Sequence, residues 1–135
     1  MLIDQEGGRV ARLRPPHWRS WQPVQRLFDG TDEAKALEAT RLRYRIIAEE
    51  LAALGVDVDC MPLLDVPAPD GHEIIGDRAL GTSPAAVARR GRAVCDGLRA
   101  GGVLPVIKHL PGHGRAGADS HFELPRVAVS LDELE

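Results

Sequence analysis

Three of the chain's five histidines fall within thirteen residues, in the run Lys108-His109-Leu110-Pro111-Gly112-His113-Gly114-Arg115-Ala116-Gly117-Ala118-Asp119-Ser120-His121. Three glycines in the same run permit positive φ and let a loop swing. Asp119 and His121 are two apart, so in locally extended backbone their side chains project to one side and can hydrogen-bond. A carboxylate so placed fixes the imidazole's tautomer and favours its charged form, which makes a proton donor and acceptor tuned near neutral pH. Lys108 and His109, just before the glycines, are suited to holding hydroxyls or a carbonyl of a polar ligand. An isolated Asp-x-His is more often a turn with a surface histidine; here the clustering favours chemistry.

A second group is Asp4-Gln5-Glu6-Gly7-Gly8-Arg9-Val10-Ala11-Arg12. It suggests a carboxylate at Asp4 that grips hydroxyls, with Arg9 or Arg12 making bidentate contacts or holding carboxylates in place. It is not a GxGxxG phosphate loop. A third is Gly76-Asp77-Arg78-Ala79-Leu80-Gly81, which reads equally as a site or as a turn with an internal Asp–Arg pair. In Val56-Asp57-Val58-Asp59-Cys60, two carboxylates alternate with apolar residues. Either one face of that strand is polar, as a barrel interior near an active site would be, or the aspartates pair locally with arginines.

The elements that must position these groups follow from periodicity. Leu37, Tyr44, Ile47, Ala48, Leu51 and Leu54 recur at helical spacing, which predicts a helix over 32–54 with Thr31 as N-cap and Gly55 just past its end. Ser83-Pro84 opens a second helix through Val87, Val94 and Leu98 to Gly101-Gly102. Ser130-Leu131-Asp132-Glu133 reads as a capping box opening a third, cut-off helix. Short apolar segments at 2–3, 56–61 and 103–108 read as strands. Strand, loop, helix, repeated, is the signature of parallel βα units, in which ligands collect at the carboxyl ends of the strands. The fold class is therefore α/β. All the unusual chemistry lies just past a strand.

The composition bounds the partners. The 135 residues are 44% hydrophobic and 27% charged, the make-up of one globular domain. With aromatics at only 4%, the core is expected to be Leu, Val, Ile and Ala. A formal net charge of −3 and no Lys/Arg block give no footprint for nucleic acid. No apolar run approaches the roughly 20 residues that span a bilayer, and Asp4 comes too early for a signal peptide. Cys60 and Cys95, neither in a CxxC, fit reduced thiols in a cytoplasm. No metal and no cofactor is expected.

The segments DQEGGRVAR, GVDVDCMPLLDV, IGDRALG and KHLPGHGRAGADSH, in this order and spacing, resemble the bacterial β-N-acetylhexosaminidases of glycoside hydrolase family 3 along nearly the entire chain. The KH-x-PGHG run followed by DSH is the specific part. The resemblance implies a (β/α)8 barrel that removes terminal β-linked N-acetylglucosamine, typically from peptidoglycan fragments during cytoplasmic cell-wall recycling. It implies that Asp4, Arg12, Arg78, Lys108 and His109 bind the sugar, that His121 is the general acid/base and that Asp119 is its partner. The carboxylate nucleophile of such retaining enzymes lies on a strand well downstream of DSH, and no residue here matches it. Asp57, Asp59 and Asp65 are on or near the early strand, Asp132, Glu133 and Glu135 at the far end, and none is a convincing substitute.

A barrel of eight βα units needs about 250 residues. The expectation is thus one incomplete barrel domain over 1–135, truncated at both ends, whose open strand edges favour self-association. Two other readings remain. In one, His109, His113, Asp119 and His121 ligate a metal in a hydrolase, although H-x3-H-x5-D-x-H fits no familiar zinc spacing. In the other, the chain is an inert sugar-binding piece that lacks the nucleophile.

Overall fold

The computed structural model describes residues 1–134. Three short strands, β1 (Leu2–Ile3), β2 (Val58–Asp59) and β3 (Leu104–Pro105), form a parallel sheet in the order β1-β2-β3. Leu2 and Ile3 sit opposite Val58 and Asp59, which in turn sit opposite Leu104 and Pro105. The two helices are the crossovers: α1 (Glu33–Ala53) joins β1 to β2, and α2 (Pro84–Ala100) joins β2 to β3. A βαβαβ run with sequential strand order is what the sequence pattern predicts; eight units closing into a barrel are more than this sheet contains.

The strands are shorter than the apolar segments that announced them. Pro62 and Pro105 carry no N–H for a ladder. Pairing nonetheless extends past the named strands, with Cys60 N donating to Ile3 O, Val106 N to Asp59 O, and an isolated parallel bridge between Leu63 and Lys108. That last bridge draws the chain after β2 and the chain after β3 side by side.

Helix α1 starts one residue later than expected. Asp32, not Thr31, is the N-cap, its carboxylate accepting from Lys35 N at 3.1 Å. Asp32 also brings negative charge to the helix's positive end. Helix α2 opens as predicted, with Ser83 as N-cap and Pro84 at the first position. The helices approach closely because α2 presents glycines: a Cβ on Gly97 would meet the carbonyl of Arg41 at 2.5 Å, and one on Gly101 would meet Ala48 Cβ at 2.4 Å. The helix expected from Ser130 is a single 3-10 turn, Leu131–Glu133. So short a run does not offset the cost of nucleation, and Leu131 stays exposed. Glu135 and the side chain of Glu133 lie outside the described residues.

The core between helices and sheet contains Ile47, Leu51, Val94, Leu98 and Val103, continuing through Met61, Leu63, Ile75 and Leu80. Aromatics join it, contrary to the aliphatic expectation, with Trp21 and Phe28 partly buried against its edge. Tyr44 is fully buried, its hydroxyl donating to the backbone O of Glu6 at 2.9 Å, so the helix core is tied to the loop after β1. Both cysteines are free thiols. Among the described residues no helix is long and apolar enough to cross a membrane.

Candidate active site

At the carboxyl ends of the three strands, side chains from far apart in sequence form one charged cluster. Asp4 and Glu6 arrive on the chain leaving β1, Lys108 on the chain leaving β3, and Arg78 on the 3-10 turn Gly76–Arg78. Lys108 Nζ lies 2.8 Å from Asp4 Oδ1 and also contacts Glu6 Oε1. Arg78 grips Glu6 as a fork, Nε to Oε2 at 3.0 Å and Nη2 to Oε1 at 2.9 Å. Arg12 completes the group, Nη2 to Asp4 Oδ2 at 3.7 Å. Asp4, Arg12, Arg78 and Lys108 are thus brought together, as their shared position past strand ends requires.

Glu6 was missed as a site residue although it stands in the DQEGG run. Its own type carries no sign of burial, since glutamates are seldom buried unless paired. Here it is 3% exposed and is the common partner of both buried cations. Arg9 turns away from Asp4: its guanidinium pairs with Asp77 and donates to the carbonyls of Glu73, Ile74 and Ile75. The GDR turn therefore has no internal Asp–Arg pair, since Asp77 serves Arg9 and Arg78 serves Glu6. Gln5 holds the loop shape, its side-chain oxygen accepting from Arg12 N and Leu13 N and its amide donating to Leu13 O.

The electrostatics sort the carboxylates. Burial raises the Asp4 pKa, but the hydrogen bond and charge of Lys108, with Arg12 and Arg78, outweigh it and hold the carboxyl below its ordinary value. Burial likewise lowers Arg78, and Glu6 more than restores it, so its pKa lies above the usual value. Asp59, fully buried, behaves oppositely. Burial pushes its pKa up to about 6, offset only in part by the Gln5 N–H and the charge of Lys108. Its Oδ2 is buried without a partner. Asp57, by contrast, is exposed. Neither aspartate pairs with an arginine: one faces the polar interior, the other the surface.

His109 lies on a second, adjoining carboxylate. Its Nδ1 is 2.6 Å from Asp65 Oδ2, and its backbone N donates to the same oxygen at 3.3 Å. The backbone N of His113 donates to Asp65 Oδ1. Burial raises the Asp65 pKa, but the donors from His109 and His113 outweigh it, leaving the group below its ordinary value.

Asp119 and His121 form the expected dyad, Nδ1 to Oδ1 at 2.6 Å, with His121 N donating to the same oxygen at 2.9 Å. These two bonds hold Asp119 below its ordinary pKa. The His121 side chain is 72% exposed, and among the described residues the dyad's hydrogen bonds run within 119–123 rather than to Lys108 or Asp4. The dyad is formed but not seated on the cluster. Nor are the four residues of the metal reading assembled. His109 Nδ1 faces Asp65, His121 Nδ1 faces Asp119, and among the described residues no three His, Cys, Asp or Glu side chains are grouped to hold a metal ion.

A groove of about 540 Å³ runs beside the cluster, between 64–70 and 111–115, with Asp65 in its wall. Its lining is mainly proline, glycine and aliphatic. The charged cluster does not line it, so the concentration of chemistry, rather than the size of the hollow, marks the site.

The family model for the glycosyl hydrolase family 3 N terminal domain matches residues 1–135. The chain belongs to this family. It is 39% identical over 119 residues to the beta-hexosaminidase LpqI of Mycobacterium tuberculosis, covering 88% of this chain and 30% of that protein. Native NagZ from Neisseria gonorrhoeae superposes with a TM-score of 0.90 at 37% identity, over 98% of this chain and 39% of that one. The same figures for fold and identity hold for that NagZ in complex with N-trifluoroacetyl-D-glucosamine. The chain thus spans 30% to 40% of the length of these family 3 relatives. Within that span its α/β fold is theirs.

Proposed function

We propose that this chain forms part of the catalytic domain of a retaining β-N-acetylhexosaminidase that releases terminal N-acetylglucosamine from small saccharides, in the cytoplasm, as in the recycling of peptidoglycan fragments. The observation that carries the reading is the convergence of Asp4, Glu6, Arg12, Arg78 and Lys108 at the carboxyl ends of three parallel strands in a family 3 chain. The relative crystallised with N-trifluoroacetyl-D-glucosamine supports the sugar class.

In this reading, Asp4 and the cations Lys108, Arg78 and Arg12 hold sugar hydroxyls, with His109 beside them. Charge-assisted bonds of this kind are about twice as strong as neutral ones and demand fixed geometry. His121, protonated and oriented by Asp119, gives its proton to the leaving oxygen while a carboxylate attacks the anomeric carbon; neutral His121 then takes a proton from the water that releases the sugar. An imidazole with an unperturbed pKa of about 6.5 replaces the usual carboxylic acid, which suits neutral pH. Three carboxylates could be suspected of supplying the attack, and the geometry disfavours each. Asp57 is exposed at the surface, Asp59 is fully buried, and Asp65 uses both oxygens on donors from the chain after β3. The nucleophile is assigned to the part of the barrel beyond this span, where the family resemblance puts it.

The test uses a chromogenic aryl β-N-acetylglucosaminide. A protein carrying this chain within a complete barrel is expected to release the aryl group with retention at the anomeric carbon. Residues 1–135 alone are expected to show negligible turnover and to self-associate through uncovered strand edges. Robust turnover by the isolated, sequence-verified chain, or inversion by the complete one, overturns the assignment.

A further inference from the structure

We propose that Asp65 is a positioning residue with two tasks: it sets the tautomer of His109, and it anchors the base of the loop that carries Asp119 and His121. The inference rests on the hexosaminidase reading for what His109 and His121 do, but the anchoring is read from geometry alone.

Asp65 is 1% exposed and stands just after the bridge between Leu63 and Lys108. It receives three N–H groups, from the His109 ring, the His109 backbone and the His113 backbone. An ionised carboxylate accepts and cannot donate. The neutral imidazole of His109 must therefore carry its proton on Nδ1, which leaves Nε2 as an acceptor. Any ligand group that meets that nitrogen must be a donor, such as a sugar hydroxyl. Capping the two backbone N–H groups uses both carboxylate oxygens, and control of the ring requires a group that never donates; only an ionised carboxylate meets both demands.

The second task follows from where the bonds stop. Past His113, the chain stays pinned to the opposite loop: Ala68 N donates to Gly114 O, His72 N donates to Ala116 O, and a Cβ on Gly114 would overlap the backbone of Val66. Beyond Ala116, a Cβ on Gly117 would meet nothing within 4 Å, and the hydrogen bonds of Asp119 with His121 stay within the loop. Asp65 sits at the root of the pinned half. The segment beyond it carries His121, whose side chain is exposed.

Two measurements test this on the complete enzyme. Imidazole nitrogen chemical shifts by NMR, at a pH where the rings are neutral, should show wild-type His109 protonated at Nδ1; a proton at Nε2 overturns the proposal and requires no variant. The isosteric Asp65→Asn has one acceptor atom for donors on both sides, so it should release His109 to the other tautomer or free the His113 N–H. The kcat/KM is expected to fall about 10- to 100-fold, the range typical of losing a partner that orients a functional histidine. The loss should appear mainly as a raised KM if His109 is the member released, and mainly as a lowered kcat if the loop is. Wild-type kinetics with an unchanged His109 tautomer in Asp65→Asn overturn it. If the wild-type protein releases no N-acetylglucosamine at all, the hexosaminidase reading fails, and the wild-type NMR result still decides whether Asp65 sets the His109 tautomer.

Discussion

The two constellations proposed to carry the chemistry are built by opposite means. The cluster around Glu6 joins residues 72 and 104 positions apart, Glu6 with Arg78 and Asp4 with Lys108, and its members are largely withdrawn from water. The Asp119–His121 dyad joins residues two apart, with the imidazole in solvent. The first exists only when three strand ends have been brought together. The second forms from local backbone geometry and would hold its shape wherever the loop went. A binding pocket benefits from the rigidity of the first kind, since preformed donors need no reorganisation when ligand arrives. A proton-transfer group that must reach a substrate and let product leave is better placed on the second.

Breaking each constellation should therefore register in different measurements. The largest expected effect is on turnover. His121→Ala in the complete enzyme should slow hydrolysis about two to four orders of magnitude, the range for losing a general acid. An aryl glycoside with a good leaving group should be hurt less than one with a poor leaving group. Thermal stability should stay unchanged, because the removed ring is exposed. Equal losses for both substrates, with glycosylation limiting the rate, would remove the acid role.

Glu6→Ala should act the other way. Removing the shared anion leaves Arg78 and Lys108, with side chains 10% and 13% exposed, without their main partner. Breaking one side of a buried pair typically costs about 3–5 kcal/mol. Urea unfolding would measure the loss, which should be accompanied by a raised KM. A change under about 1 kcal/mol would mean that the cluster does not preorganise the site.

The smallest effect concerns Asp59 and has a definite sign. Its folded pKa of about 6 lies above the unfolded value near 4, so between these the folded state holds the proton more often. Its contribution to stability therefore falls as pH rises from about 4 to 6 and is level above that. Asp59→Asn should remove this slope, narrowing to near zero at pH 4 a stability gain over wild type on the order of 1–3 kcal/mol at pH 7. Asp65, whose folded pKa is lowered, has the opposite sign, with its contribution lost as pH falls below about 4. Parallel pH profiles for Asp59→Asn and wild type would contradict the buried, half-satisfied state of that carboxyl.

What could be read from residues alone was whatever depends on short sequence separation. Ser83-Pro84 opening α2, Gly55 closing α1 and the Asp119–His121 pair all follow from backbone rules that act within a few residues. The parallel βα order and the place of the chemistry past strand ends followed from periodicity, and the family followed from four motifs in order. Even local rules slipped where neighbours compete, as Asp32 did with Thr31 for the N-cap. Only tertiary structure could assign partners: that Glu6 neutralises Arg78 and Lys108, that Arg9 leaves Asp4 for Asp77, and that Asp65, a surplus carboxylate in the sequence, holds His109 and His113. The reason is physical. A charged side chain's type says only that it needs a partner or water, and which of these it finds depends on how closely the packed strands bring distant segments of the chain together.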